Sequence, residues 1–183
     1  SYDYDARNRL TSTSYGDGSP AIGRSYTADG LAHQVWSAGS TWTYGYNNRR
    51  LLTSESLLHA CSTYAFTRGI DAYGNVSSLT YPDGGVVAYS PDALGRPTQA
   101  GSHASAASYH PDGQIAGYTL GNGIAHSTTQ TTRGLPLVWR DAGVVQDAYA
   151  YDANANVTAI TDQQEAGLTT RSMAYDGLDR LTS

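Results

Sequence analysis

Apolar and polar residues alternate in a short segment that recurs along the chain. An aliphatic residue follows arginine or asparagine and precedes threonine or serine, as in Arg9–Thr11 and Asn75–Ser77. Because successive strand side chains point to opposite faces, this alternation predicts β-strands. One face is expected to carry Leu10, Leu52, Val76, Ile115, Val157 and Leu181. The other face is expected to carry Arg9, Asn75, Arg96, Asn156 and Arg180.

A turn signal of the form Y-D-x-x-G precedes most of these segments. The Asp accepts backbone N–H bonds and the glycine supplies a positive φ, which favours a type I turn followed by a G1 bulge. The glycine positions are Gly30, Gly74, Gly95, Gly113 and Gly134. Asn8, Arg50, Ala155 and Asp179 replace the glycine elsewhere. Arg50 and Ala155 tolerate left-handed backbone poorly, so we expect their turns to differ in geometry.

The turn signal repeats with a regular period. Its first residues, which we call the anchors, are Tyr4, Tyr26, Tyr46, Ile70, Pro91, Tyr109, Gln130, Tyr151 and Tyr175. Successive anchors lie 18 to 24 residues apart, a period typical of repeat arrays. Second turn signals follow about half a period later, beginning at Tyr15, Tyr81, Leu120, Arg140 and Asp162. Each repeat is therefore predicted to be one β-hairpin.

The predicted fold class is all-β, an antiparallel array of hairpins that forms one curved or spiralling sheet. Nine repeats would supply eighteen strands in a single domain over residues 1–183, which we expect to be a fragment of a longer protein. One hairpin is marginal in water, so neighbouring hairpins must pair edge to edge. The residues expected to build the repeat are Tyr4, Asp5, Tyr26, Gly30, Tyr46, Asp71, Gly74, Asp92, Gly95, Tyr109, Gly113, Gly134, Tyr151, Asp152, Tyr175 and Asp176.

Composition supports strands and narrows the function classes. The chain has fifteen Tyr, one Phe, twenty Gly and no Lys, and its net charge is -5. Scattered arginines in an acidic chain do not form the basic stripe that binds nucleic acid. No apolar run approaches the length of a membrane helix. Cys61 is the only cysteine, and we interpret it as a small buried apolar residue.

Candidate sites are weighed against these structural roles. Asp3 with Asp5, or Asp176 with Asp179, could form the carboxylate pair of a glycosidase, but each pair lies at a turn signal. The Asp-Gly turns lack the spacing of calcium-binding repeats, and the five histidines are scattered. We therefore predict no catalytic residues, metal or cofactor. Trp36, Trp42 and Trp139 could form a platform that stacks on sugars, although strand packing explains them more simply.

The phased series resembles the YD repeats of Rhs proteins. The segments that carry the resemblance are "YDARNRLTS", "DAYGNVSSLTYPDGG", "PDALGRPTQ", "YHPDGQIAGYTLGNG", "YDANANVTAI" and "YDGLDRLTS". Proteins of this family include bacterial polymorphic toxins, shell subunits of insecticidal toxin complexes, and teneurins. The resemblance implies a long sheet that spirals into a hollow shell, which in bacterial members encloses a C-terminal toxin until delivery. The D-P-x-G-L motif that would end such a shell is absent from these residues.

The resemblance implies a secreted, non-enzymatic shell segment. Its expected partners are the remainder of its own shell and an enclosed toxin or effector domain. The alternative is an extracellular module that binds glycans through tryptophan and tyrosine, and a glycosidase is a third hypothesis. Unpaired sheet edges should also promote self-association of the isolated chain.

Overall fold

The computed structural model describes residues 1–164 and 169–183, which form strands and turns and no helix. The prediction of an all-β antiparallel fold is confirmed. No helix long and apolar enough to span a membrane occurs among the described residues. The turn signal that begins at Asp162 lies in part outside the described residues. Two compact units divide the chain, Ser1–Arg96 and Pro97–Ser183.

The first unit is a nine-stranded antiparallel meander in chain order. Its strands are β1 (Tyr2–Tyr4), β2 (Leu10–Thr13), β3 (Ile22–Tyr26), β4 (Ala32–Ser37), β5 (Ser40–Tyr46), β6 (Leu52–His59), β7 (Ser62–Ile70), β8 (Val76–Thr80) and β9 (Val86–Ala88). The second unit is a seven-stranded meander of the same kind. Its strands are β10 (Ala104–Tyr109), β11 (Ile115–Leu120), β12 (Ala125–Gln130), β13 (Pro136–Asp141), β14 (Val145–Tyr151), β15 (Val157–Asp162) and β16 (Thr170–Ser172).

The strand ladder is interrupted between β9 and β10, which differs from the single eighteen-stranded sheet expected from the period. Sixteen strands in two sheets occur in the described part of the chain. Pro91 and Pro97 stand at the interruption, where most other repeats have tyrosine and an aliphatic residue. Pro136 has the position of Pro97 and still pairs with Gln130, so a single proline is tolerated. The interrupted repeat has proline at both positions, and neither residue has an N–H to donate to a ladder.

Strand register follows the repeat. In eight of the nine repeats the anchor pairs directly with the residue six positions later, for example Tyr4 with Leu10 and Ile70 with Val76. The other pairs are Tyr26–Ala32, Tyr46–Leu52, Tyr109–Ile115, Gln130–Pro136, Tyr151–Val157 and Tyr175–Leu181. A register shift precedes most of these pairs, as a G1 bulge requires.

Neighbouring rows of paired residues, which lie on opposite faces of a sheet, differ in the size of their side chains. A row of directly paired residues in the first unit runs Arg24, Val35, Trp42, Leu57 and Tyr64. The next row, on the opposite face, runs Gln34, Thr43, Ser56 and Ala65. In the second unit, Tyr118, His126 and Asp141 form a row of large side chains. On the opposite face, Gly117 pairs with Ser127, and Ser127 pairs with Arg140.

No hydrophobic residue is buried among the described residues. The buried residues there are Thr13, at 8 % exposure, His126, at 7 %, and Gly23. Tyr64 remains 48 % exposed although it lies in the large-residue row. Because so few of the described side chains are buried, stability depends on strand pairing and on bonds between repeats.

The sequence analysis did not predict two tight hairpin turns. Ala38 and Gly39 have φ values of 48° and 77°, and Ala60 and Cys61 have values of 47° and 66°. Two consecutive positive φ values indicate a type I′ turn, which normally uses Asn and Gly. The expectation that Cys61 is buried is wrong, because Cys61 is exposed at the tip of the β6–β7 turn.

Candidate functional site

The anchor turns, each running from an anchor to the residue six positions later, share one backbone pattern. In the first turn the Asp5 N–H donates to Arg9 O at 3.0 Å and the Asn8 N–H donates to Asp5 O at 2.9 Å. The same two bonds recur in all nine repeats. The row of anchor turns is therefore the most regular feature of the molecule, and it contains most of the sequence-predicted repeat residues.

Asp caps five of these turns through one carboxylate oxygen. Asp5 Oδ1 accepts the N–H groups of Arg7 and Arg9 at 2.9 and 3.0 Å. Asp71 Oδ1 accepts three N–H groups, from Tyr73, Gly74 and Asn75. Asp92, Asp152 and Asp176 cap their turns in the same way.

The second oxygen of each capping Asp binds the side chain four residues later. Arg9 Nε donates to Asp5 Oδ2 at 2.8 Å, and Asn75 Nδ2 donates to Asp71 Oδ2 at 3.0 Å. Corresponding bonds join Arg96 to Asp92, Asn156 to Asp152 and Arg180 to Asp176. The sequence analysis assigned these arginines and asparagines only to a sheet face and missed their role in closing the turn.

Three anchor turns have a cap with one acceptor. Thr27 Oγ1 accepts the Leu31 N–H at 2.9 Å, and Asn47 Oδ1 accepts the Leu51 N–H at 3.1 Å. Thr131 bonds Leu135 in the same way. In all three turns the residue four after the cap is leucine, where an Asp cap is followed by arginine or asparagine. The remaining turn begins at Tyr109 and has His110 at the cap position.

The residue four after each anchor has left-handed backbone in all nine turns. The φ values at Gly30, Gly74, Gly95, Gly113 and Gly134 lie between 76° and 101°. Arg50 and Ala155 have φ values of 64° and 73°. The expectation that their turns differ in geometry is therefore wrong. Capping by Asn47 and Asp152 holds these two turns in the common conformation despite the unfavourable residue.

The bonds to the capping Asp residues also lower the pKa values of their carboxyls. The side-chain bond from Arg9, followed by the bond from its N–H, lowers the pKa of the Asp5 carboxyl below its usual 3.8. The pKa values of Asp92 and Asp176 are lowered by the same pair of causes, from Arg96 and Arg180. The Asn156 side chain is the largest cause of the lowered pKa of Asp152. These caps are therefore stabilised in their ionised form.

Anchor tyrosines join each repeat to the one before it. The Tyr26 hydroxyl donates to Leu10 O at 2.7 Å, and the Tyr151 hydroxyl donates to Pro136 O at 2.7 Å. Tyr109 and Tyr175 make the equivalent bond to Pro97 O and Val157 O.

Tyr46 is a partly buried anchor. Burial, followed by the nearby Tyr44 and Asp29, raises the pKa of Tyr46 above 10.0.

Arginines of the anchor turns make a second set of bonds between repeats. Arg7 Nη1 donates to Ala28 O at 2.8 Å, and Arg49 Nη1 donates to Ala72 O at 2.9 Å. Arg50 Nη2 donates to Asp29 O at 3.2 Å. Each bond crosses from one anchor turn to the next. The anchor turns thus form a hydrogen-bonded ladder within each unit.

Trp36 and Trp42, two of the tryptophans proposed for glycan binding, do not share one platform. Trp36 pairs with Thr41, and the next residue, Trp42, pairs with Val35, so Trp36 and Trp42 lie on opposite faces of the first sheet. The Trp36 ring lies over Gly23, where an added Cβ would meet the indole within 2.1 Å. Trp139 belongs to the second unit, where it packs edge-on against His126. Strand packing therefore accounts for Trp36 and Trp139.

The carboxylate pairs of the glycosidase hypothesis are engaged in the turns. Asp5 and Asp176 bind the backbone and arginine of their own turns. Asp179 Oδ1 accepts bonds from the side chains of Asn154 and Asn156 at 3.0 and 2.8 Å. No group of three or more metal-ligating side chains occurs in residues 1–164 and 169–183.

A buried histidine was missed because the histidines have unrelated positions in the repeat. His126 lies at a 4.6 Å centroid distance from the Tyr118 ring and its Nδ1 is 2.7 Å from Asp141 Oδ1. The ring centroid of Trp139 lies 5.4 Å from that of His126, in an edge-on arrangement. Tyr118 and Asp141 are the direct strand partners of His126. A register assignment from the two flanking turns could have found this cluster.

A family of known proteins matches part of the same series of repeats. The family model called RHS Repeat matches residues 71–102, which contain the Asp71 and Asp92 turns. These residues match an Rhs repeat, in agreement with the resemblance of the anchor series to YD repeats. No curated protein matches the chain.

Solved toxin-complex structures share the fold of this chain. The crystal structure of TcdB2-TccC3-Cdc42 matches with a TM-score of 0.81 and 14 % identity over 98 % of the chain. TcdB2-TccC3 without its hypervariable C-terminal region has a TM-score of 0.79, also at 14 % identity and 98 % coverage. The Tc holotoxin pore of Photorhabdus luminescens has a TM-score of 0.77 at 13 % identity and 98 % coverage. The present chain spans only 12 %, 11 % and 11 % of those chains.

Proposed function

We propose that these residues are a wall segment of an Rhs-type β-shell that encloses a C-terminal toxin or effector before delivery. The observation that carries the proposal is the agreement in fold over 98 % of the chain with TcdB2-TccC3. The protein would be secreted, and its partners would be the rest of the shell and the enclosed domain. The segment itself would catalyse no reaction.

The construction of the sheets supports a wall. A wall must extend by adding equal units, and the anchor turns provide the same backbone bonds in every repeat. Rigidity comes from strand pairing and from bonds such as Tyr26 to Leu10 O, since no hydrophobic residue is buried among those described. Such a segment depends on its neighbours, as a part of a larger shell does.

The turn caps support a non-enzymatic role for the segment. The carboxylates of Asp5, Asp92 and Asp176 are held by backbone N–H groups and by arginine, in bonds that stabilise the turn. These bonds lower the pKa values of the carboxyls, which makes them weaker proton acceptors near neutral pH. The sequence regularity of the caps thus has a structural cause.

Limited proteolysis tests the enclosure. The test uses the longer polypeptide that the proposal requires, with these residues in place and with Gly30, Gly74 and Gly95 each replaced by alanine in one variant. We expect the C-terminal domain to resist protease in the unaltered protein and to be cleaved when the wall is disturbed. Tyr73→Ala, at a side chain that is 84 % exposed, is the control and should preserve protection. Equal cleavage of the C-terminal domain in the unaltered protein and the variant would reject enclosure.

A further inference from the structure

A cavity in the second unit lies beside the row of large side chains that contains Tyr118 and His126. Its volume is about 390 Å³. All of its lining residues belong to the second unit, and none of them is charged. The apolar part of the wall is formed mainly by Pro97, Ala100, Ala107, Tyr109, Ile115 and Tyr118.

The cavity exists because alanine replaces a larger residue at two positions of the repeat. Two residues before the anchor stands Ala107, where Arg24 and Tyr149 pair with Val35 and Ile160 in other repeats. The full set at this position elsewhere is Tyr2, Arg24, Tyr44, Arg68, Tyr89, Thr128, Tyr149 and Met173. Nine residues after an anchor stands Ala100, where other repeats have Thr13, Val35, Glu55, Leu79, Tyr118, Trp139 and Ile160. The missing side chains leave space of aromatic size.

A bulge in β10 turns this space towards Tyr118. Ala106 has a φ of 54°, and together with Ala107 it lies opposite Tyr118 alone. The Tyr118 ring is stacked on His126 at a centroid distance of 4.6 Å. That contact fixes the ring as a rigid wall of the cavity.

Gln99 adds a polar group to the apolar wall. Its side chain is half-buried and makes no hydrogen bond with any other residue in 1–164 or 169–183. Ligand sites commonly combine apolar walls with a few polar groups that orient the ligand. The Gln99 amide can therefore bind one donor or acceptor of a molecule in the cavity.

The backbone beside the cavity is already bonded. The Ala107 N–H donates to Thr98 O at 2.9 Å, and the Ala100 N–H donates to Ala104 O at 2.8 Å. A peptide that entered here would not find these groups available for strand pairing. The cavity therefore suits a small molecule better than a polypeptide segment.

We propose that this cavity binds a small, uncharged aromatic molecule that carries one hydrogen-bonding group, of about the size of indole. The ring fills the space left by Ala100 and Ala107, and Gln99 bonds the polar group. An apolar cavity of about 150 Å³ already accepts benzene, so the volume is sufficient. The inference uses only this cavity and does not depend on cargo enclosure.

Titration of the 183-residue chain with indole, followed by nuclear magnetic resonance, tests the site. We expect saturable shifts of the Ala107 and Ile115 methyl signals, with a dissociation constant on the order of 1 mM. N-acetyltryptophanamide, which carries the same ring on a peptide backbone, should bind more weakly. Absence of saturable shifts would overturn the site, and equal or tighter binding of the amide would overturn the small-molecule occupant.

Variants that fill the cavity test its location. Ala107→Tyr restores the residue type of other repeats, and Ala100→Leu fills the second gap, so each should weaken indole binding at least tenfold. Ser105→Tyr is the matched control, because Ser105 is exposed in the same strand and pairs with Thr119 on the opposite face. It should bind indole like the wild type. Circular dichroism checks that each variant is folded, and unchanged binding by both filled variants would reject the cavity.

The role of Gln99 is tested with 1-methylindole, which keeps the ring and lacks the N–H. It should bind the wild type about fivefold more weakly than indole does. Gln99→Leu should bind the two molecules equally. Equal binding by the wild type, or a difference that persists in Gln99→Leu, would overturn the assigned hydrogen bond.

Discussion

The anchor turns of the first two repeats have the same backbone and different side-chain chemistry. In the first, Asp5 binds two N–H groups with one oxygen and Arg9 with the other. In the second, Thr27 offers one oxygen to the N–H of Leu31. A carboxylate that caps a turn has a second oxygen that needs a donor, and a hydroxyl does not. The cap thus determines which residue suits the position four residues later.

The arginine or asparagine that bonds to an Asp cap also extends to the neighbouring anchor turn. Arg9 extends from Asp5 to the Tyr26 ring, and Asn75 extends from Asp71 towards Gly95. Leucine at the same position cannot make these polar bonds. In the Thr27 and Asn47 turns, connections between repeats come instead from Arg49 and Arg50, outside the cap pair.

The largest loss of unfolding free energy is expected where the side chain of one anchor turn packs against the backbone of the next anchor turn. Gly95→Ala places a Cβ 2.5 Å from Asn75 Oδ1 at a φ of 79°. We expect a loss of about 3 kcal/mol in unfolding free energy, from left-handed strain and overpacking together. Urea denaturation measures it.

Gly113→Ala is the matched control, since φ is 89° and nothing lies within 4 Å of the added Cβ. Its loss should be about 1–2 kcal/mol, from backbone strain alone. Equal losses in the two variants would show that Asn75 does not press on the following turn.

The next effect compares the two caps directly. Asp5→Ala removes two backbone bonds and the Arg9 bond, while Thr27→Ala removes the bond from the Leu31 N–H and the bond that the Thr27 hydroxyl donates to Asp29. The loss of stability for Asp5→Ala should be about twice that for Thr27→Ala, because Asp5→Ala loses three charge-assisted bonds and Thr27→Ala loses one. Urea midpoints of both variants provide the measurement. A larger loss for Thr27→Ala would contradict the comparison.

Acid should destabilise the anchor turns capped by Asp and leave those capped by Thr unchanged. The pKa of Asp5 is lowered in the fold by its bonds to Arg9 and Arg7, so its contribution is present above the usual 3.8. The contribution is lost as the pH falls through the lowered folded pKa. Urea midpoints of the wild type and Asp5→Asn should therefore differ at pH 7 and converge by about pH 2. A constant difference across this range would be the contrary result.

A small gain is expected where the turn already carries an unsuitable residue. Ala155 has a φ of 73°, which glycine adopts without strain. Ala155→Gly should raise the unfolding free energy by about 0.5–1 kcal/mol, after the greater freedom of glycine in the unfolded chain is included. Ala153→Gly in the same turn is the control and should give no gain. Destabilisation by Ala155→Gly would show that the alanine methyl has a packing role.

The period and the Asp signal predict the hairpins because both rest on local chemistry. Arg50 was misjudged because local propensity was weighed without the cap, and Asn47 determines that turn. The bond from Arg9 to Asp5 was missed because alternation assigned Arg9 to a face. The burial of His126 depends on its pairing with Tyr118 and Asp141, which no single repeat contains. The ladder break coincides with Pro91 and Pro97, the one repeat with proline at both positions of the pair.

The most direct measurement of the central claim is an exchange of the two cap chemistries in the first turn. Asp5→Thr and Arg9→Leu are made singly and together, and urea denaturation gives the stability of each protein. The account predicts that the double variant is more stable than either single variant, because threonine has no second oxygen to satisfy and leucine leaves no cation behind. Losses that simply add, with the double variant the least stable, would contradict the account.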